Sequence, residues 1–164
     1  MKILITGGAG FIGSHVAEYY SKKGEEVIVF DSLSRVSILG KSIGDPLYNW
    51  RYLKKNYPGI KFIKGDIRDF SLLSKLVKDV DIIINIAAET HVDRSISNPK
   101  SFLENNTVGT FNLLEAIRLY NPDIRFIQVS TDEVYSDILV GSYTEEDRLK
   151  PSSPYSASKA AADM

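Results

Sequence analysis

The chain has 164 residues, 43% apolar and 25% charged, with a formal net charge of -1 and no cysteine. That length supports one domain with a real core. The lack of thiols excludes disulfides, thiolate catalysis and Cys-based metal sites. The charge balance offers no basic field, so neither nucleic acid nor a membrane is an expected partner. With only two histidines, no metal site is expected. Lys2 precedes only three aliphatic residues, too few for a signal-peptide core, and no apolar run is long enough to span a bilayer. A cytoplasmic location is the default expectation.

Short aliphatic runs occur at Ile3-Leu4-Ile5, Val27 to Phe30, Phe62-Ile63, Ile82 to Ile84 and Phe126 to Val129. They are continuous rather than alternating, which predicts strands of a parallel sheet buried on both faces. Amphipathic stretches lie between them at Phe11 to Lys23, Ser71 to Lys78 and Lys100 to Tyr120. In the last, Phe102, Val108, Phe111, Leu114 and Ile117 recur near helical spacing. The alternation predicts an α/β fold, a doubly wound, Rossmann-like parallel sheet with right-handed crossovers. Ser34 to Pro58 is longer than a usual crossover and reads as a loop with a short helix around Leu47 to Tyr57. Ser152, Ser153 and Pro154 open a final helix that stops at Met164 without a terminating signal. Residues 1–164 therefore read as an N-terminal, nucleotide-binding piece of a longer protein, with a substrate-binding domain expected beyond it.

Gly7, Gly10 and Gly13 form a Gly-x-x-Gly-x-x-Gly frame directly after the first strand. The first glycine permits a tight turn, the second a close backbone approach to a pyrophosphate, and the third close helix packing. A tight turn alone would also explain the triplet. The second strand, however, ends in Asp31, at the distance expected of an acid that binds the adenosine ribose. A carboxylate there repels a 2′-phosphate and favours NAD over NADP; Arg35 is the nearby cation that argues the other way. Asp66-Ile67 follows the third strand, where a carboxylate can accept from an adenine amino group. Ala87-Ala88-Glu89 follows the fourth, where small residues let the coenzyme approach.

Two further segments carry chemistry. Ser130-Thr131-Asp132-Glu133-Val134-Tyr135 places adjacent acids where the fifth strand opens into a loop. Tyr155 and Lys159 are four apart and share one helix face. A neighbouring ammonium would lower the phenol's pKa towards a usable base.

With these motifs the chain resembles the extended short-chain dehydrogenase/reductase superfamily. Ala87 to Ile96 and Ser130 to Tyr135 narrow the likeness to the nucleotide-sugar 4,6-dehydratases, most closely those acting on dTDP-glucose. The resemblance implies bound NAD and a nucleotide-sugar substrate converted to its 4-keto-6-deoxy product. Cofactor contacts would come from Gly7, Gly10, Phe11, Ile12, Gly13, Asp31, Ser32, Leu33, Ser34, Asp66, Ile67, Ala87, Ala88, Glu89, Asn105, Tyr155 and Lys159. Tyr155 would take the proton from the sugar 4-hydroxyl, with Lys159 holding the nicotinamide ribose. Glu133 would abstract the carbon-5 proton, Asp132 would protonate the departing 6-hydroxyl, and Thr131 would bond the 4-oxygen. Burial and like charge would then raise the pKa of Asp132. His91, like Thr131, would contact substrate. Ser136 departs from the family, which commonly has glycine there. The full-length protein is expected to be a homodimer, paired through Lys100 to Tyr120 and the helix from Tyr155.

Two rivals stay open. A related epimerase or decarboxylase shares the glycine turn and the Tyr-Lys pair, although such relatives usually lack the adjacent Asp-Glu. A non-catalytic NAD-binding module is the other. The chain by itself is expected to bind NAD without turnover.

Overall fold

Among the described residues, five strands pair in parallel throughout, in the order β3-β2-β1-β4-β5. They are β1 (Lys2–Thr6), β2 (Glu26–Asp31), β3 (Lys61–Lys64), β4 (Ile82–Asn85) and β5 (Arg125–Gln128). The computed structural model describes residues 1–34 and 44–164, so Arg35 and the first part of the long crossover lie outside the described residues. The helices are α1 (Phe11–Lys22), α2 (Tyr48–Asn56), α3 (Phe70–Leu76), α4 (Val92–Ser97), α5 (Pro99–Phe102), α6 (Gly109–Tyr120) and α7 (Pro154–Asp163). This is the doubly wound, Rossmann-like sheet that the apolar runs predict.

Side chains of a strand alternate between faces, so each central strand feeds two cores. Leu4, Ile28, Phe30 and Ile83 pack with Leu73, Leu113, Ala116 and Ile117 on one face. Ile3, Ile5, Val27, Val29, Ile82 and Ile84 pack with Ala17 and Leu53 on the other. Helices α1 and α2 therefore cover one face, and α3 and α6 the opposite one.

Three expectations need correction. Two-face burial holds for β1, β2 and β4, but not for β3 or β5, the outermost strands of the described sheet, which carry exposed positions. Lys100 to Tyr120 is not one regular helix: α5 leads into a π-helical turn at Leu103–Val108, and α6 follows. Finally, Val108, Phe111 and Leu114 are exposed, while Gly109, Thr110, Leu113 and Ala116 face the core. The extra residue that a π turn absorbs rotates the following helix relative to a simple 3.6-residue count. Helix α4 adds an element that periodicity missed, ending at Ser97 with Asn98 as its C-cap just before Pro99.

Helix α7 starts as its sequence foretells. Ser153 and Ser156 form a reciprocal capping box, and Pro154 occupies the first turn.

Candidate functional site

β1 and β4 are neighbours whose onward connections run to opposite faces, so a crevice opens beyond their C-terminal ends. A cleft of about 290 Å³ fills it. Gly7, Gly10, Phe11, Ile12 and Gly13 line it from the first turn, with Asp31, Ser32, Leu33 and Ser34 after β2. Asp66 and Ile67 contribute after β3, Ala87, Ala88 and Glu89 after β4, and Asn105 from the π turn. His91, Tyr155 and Lys159 do not line this cleft.

The glycines act through space more than through flexibility. Gly7 adopts φ +65°, and a Cβ there would lie 2.8 Å from the backbone of Ala87. A Cβ on Gly13 would lie 2.2 Å from the Gly7 carbonyl oxygen. The turn closes by a 3.0 Å bond from Gly10 N–H to the Gly7 carbonyl. No side chain caps α1 at Gly10, and its first turn holds no acid. Its leading N–H groups and positive dipole end thus remain available to an anion, which fits the pyrophosphate of a dinucleotide.

Asp31 accepts from Ala9 N–H at 2.9 Å and from Leu33 N–H at 2.8 Å. Burial pushes its pKa up while these two donors pull it down. Each carboxylate oxygen retains a further lone pair, enough to accept from ribose hydroxyls. Asp66 is already forked by Arg68, Nε at 3.0 Å and Nη2 at 2.7 Å, which lowers its pKa.

Below the cleft runs a buried polar layer that the residue pattern did not reveal. Thr6 Oγ1 donates to Asn85 Oδ1 and accepts from the N–H groups of Ile86 and Ala87, both at 3.1 Å. Asn85 Nδ2 reaches Gln128 at 2.7 Å and Thr110 at 3.2 Å. This fixes the backbone after β4, where Ala87 meets the glycine turn.

The π turn joins the cleft to α7. Asn106 brackets Glu89, donating to its carbonyl at 3.0 Å and accepting from its N–H at 2.8 Å. The same amide donates to Ser158 Oγ at 2.9 Å, and Thr107 Oγ1 donates to the Ser158 carbonyl at 3.0 Å. Asn105, the residue picked from the sequence, lines the cleft while its amide returns to the Ser101 carbonyl at 2.8 Å. Its neighbour Asn106 was missed, because nothing in a linear motif separates the two.

The second constellation lies at the end of β5. Thr131 precedes a 3₁₀ turn at Asp132–Tyr135 and caps it through Glu133 N–H. The structure brings Tyr155 to this turn. Burial raises the phenol's pKa most, a hydrogen bond with Thr131 opposes this, and the charges of Glu133 and Asp132 raise it further. The expected lowering by Lys159 is therefore not what the fold delivers. Lys159 Nζ instead donates to the Val129 carbonyl at 2.6 Å, and burial lowers its own pKa. Asp132 and Glu133 are both exposed, so the burial invoked to separate their protonation states is not present in the described chain. His91 is exposed as well, preceding α4 at φ 94°.

The family model for GDP-mannose 4,6 dehydratase matches residues 4–164. The chain belongs to that family. It is 44% identical over 165 residues to the low-salt glycan biosynthesis protein Agl12 of Haloferax volcanii, covering all of this chain and 50% of that protein. The structure is similar to DesIV, a dTDP-glucose 4,6-dehydratase from Streptomyces venezuelae with NAD bound, at TM-score 0.84 and 43% identity. That match covers 99% of this chain and 49% of DesIV. A UDP-glucuronic acid 4-epimerase from Bacillus cereus in complex with NAD superposes at TM-score 0.85 with 31% identity, covering 99% of this chain and 50% of the epimerase. The chain thus spans about half the length of the relatives it matches. Among the described residues no helix is long and apolar enough to cross a membrane, and no group of three or more His, Asp or Glu is placed to hold a metal.

Proposed function

We propose that this chain carries the coenzyme site and proton-transfer groups of an NAD-dependent nucleotide-sugar 4,6-dehydratase acting on dTDP-glucose. The observation that carries the reading is the packing of α7, and with it Tyr155, against the 3₁₀ turn that holds Asp132 and Glu133, whose charges bear on the phenol. One hydroxyl relay and two acids at a single phenol supply the base and the acid that a dehydration needs. The cleft supports the coenzyme through its uncapped helix end and Asp31.

In this scheme NAD, held by Asp31 and the uncapped end of α1, would supply the hydride acceptor and donor for sugar carbons 4 and 6, and its cationic ring would favour phenolate. Tyr155 accepts the 4-hydroxyl proton, relayed through Thr131. The 4-ketone so formed acidifies carbon 5, and Glu133 removes that proton. Asp132 gives a proton to the 6-hydroxyl, which leaves as water. Glu133 returns its proton to carbon 5 as hydride reaches carbon 6, and the proton taken up by Tyr155 restores Asp132. Lys159, bonded to the Val129 carbonyl, ties the segment that follows β5 to α7, the helix that carries Tyr155. The exposed apolar side chains Leu103, Val108, Phe111 and Leu114 would pair with a second copy in a homodimer.

The 4-epimerase similarity keeps a second reading in view, since epimerization uses the same oxidation at carbon 4. The adjacent Asp132-Glu133 favours dehydration. Two measurements test the proposal. Calorimetric titration of the chain with NAD should show binding that Asp31→Ala weakens. The chain completed with the C-terminal half of DesIV, given dTDP-glucose and NAD, should form a 4-keto-6-deoxy sugar without net NADH. A 4-epimer as the product would overturn the dehydratase reading, and turnover by the chain alone would contradict its role as a coenzyme-binding half.

A further inference from the structure

The long crossover after β2 has so far entered the site only at its start, through Ser34, yet its later described portion reaches the cleft as well, where Pro46 lines it. Helix α2 sits on the core through Leu53, with Trp50 edge-on to Phe62 at 4.9 Å. Its far end is fastened to α1 by a 2.6 Å bond from the Tyr57 hydroxyl to Glu18. Asn49, in its first turn, is directed at the glycine turn. Its Nδ2 donates to the carbonyls of Ala9 and Gly10, both at 3.2 Å. Ala9 is thereby gripped from both sides, since its N–H is taken by Asp31 at 2.9 Å. The Gly10 carbonyl is shared between Asn49 and the N–H of Ser14 at 3.0 Å.

The consequence follows from peptide planarity. In a trans peptide the carbonyl and the next N–H point in opposite directions. Holding the Gly10 carbonyl on the α2 side therefore turns the Phe11 N–H away from α2, and Phe11 lines the cleft. A turn free to rotate would offer carbonyl oxygens as readily as N–H groups, and carbonyl oxygens repel phosphate. We infer that Asn49 is a positioning residue for the coenzyme's pyrophosphate: it locks the Ala9 and Gly10 carbonyls away from the cleft so that the turn presents donors. This rests on the reading of the cleft as a dinucleotide site.

The test compares parent chain, Asn49→Ala and the isosteric Asn49→Asp, which cannot donate. NAD and adenosine are titrated by calorimetry, and amide exchange of the ligand-free turn is followed. The loss of two hydrogen bonds should weaken NAD about tenfold in either variant. Adenosine, which has no phosphate, should change by less than about twofold, and exchange should quicken at the glycine turn. If Asn49→Ala does not fold, Asn49→Asp is read alone. NAD affinity within about twofold of the parent, or equal weakening of NAD and adenosine, would overturn the role of Asn49. A parent chain that fails to bind NAD at all would instead overturn the coenzyme reading, and this role with it.

Discussion

Asn106 and Ser158 meet at 2.9 Å across the packed surfaces of the π turn and α7, one residue before Lys159. The same buried amide satisfies both the N–H and the carbonyl of Glu89 on the cleft wall. One side chain thus ties the coenzyme cleft to the helix carrying Tyr155. Truncating it in Asn106→Ala leaves two backbone groups and a hydroxyl without these partners. The expected loss is roughly 2–4 kcal/mol of unfolding free energy, read by urea denaturation. Asn105→Ala, which loses a bond to the Ser101 carbonyl on its own helical stretch, should cost less than about 1 kcal/mol. Equal losses for the two variants would remove the special role of Asn106.

Ser136 closes the 3₁₀ turn of the acid pair at φ 86° and ψ -177°, a region that only glycine occupies without strain. Relief of about 1–3 kcal/mol of strain, less the added freedom of the unfolded chain, leaves Ser136→Gly about 1 kcal/mol more stable. A thermal melt that shows Ser136→Gly unchanged or weaker would mean that the serine is held without strain.

The sheet was legible because its strands announce themselves as unbroken apolar runs. The cleft was legible because four of the five strands, all but β5, end in or lead into a residue that lines it: Gly7, Asp31, Asp66 and Ala87. Periodicity failed at Lys100 to Tyr120 for a geometric reason. It weighs apolar side chains at 3.6-residue spacing, and here Gly109 and Thr110 are buried while Phe111 is exposed. Gly109 is buried because α6 approaches Ile67 too closely for a side chain. Thr110 is buried because it completes the polar layer with Asn85. Asn49 and Asn106 were invisible for a related reason: their partners are backbone groups of distant segments, and no local pattern records them. The charge environment of Tyr155 likewise depends on where Lys159 bonds, which the four-residue spacing leaves open.

Tyr155 should titrate above the ordinary tyrosine range in the ligand-free chain, because burial and the charges of Glu133 and Asp132 disfavour phenolate. The sign for stability follows from linkage. A phenol whose pKa is higher folded than unfolded contributes stability that is present below the unfolded value and lost as pH rises through the folded one. With ¹³C-labelled tyrosine, the Tyr155 resonance identified by Tyr155→Phe should move to lower pKa in Asp132→Asn and in Glu133→Gln. Lys159→Met should move it less than either, since the Lys159 amine bonds the Val129 carbonyl. A larger effect of Lys159 than of the acids would restore the ammonium as the controlling charge.

Gly13 and Gly109 offer similar gaps to a methyl group but different neighbours. A Cβ at Gly13 would lie 2.2 Å from the Gly7 carbonyl oxygen and 2.8 Å from Gly8 Cα, both backbone atoms of the turn. A Cβ at Gly109 would lie 2.3 Å from Ile67 Cδ1 and 2.6 Å from its Cγ1, both side-chain atoms of a buried core residue. Backbone cannot step aside without reshaping the turn, whereas the Ile67 side chain can repack at a cost. Alanine also gains about 1 kcal/mol over glycine inside a helix, which offsets part of the cost at Gly109. Gly13→Ala should therefore lose about 1–3 kcal/mol of stability together with NAD binding. Gly109→Ala displaces the buried Ile67 side chain and should cost about 1–3 kcal/mol less the helix gain, weakening NAD less than Gly13→Ala does. Denaturation and calorimetry on the two variants decide the matter. NAD binding retained by Gly13→Ala would show that the close approach of α1 to the turn does not shape the coenzyme site.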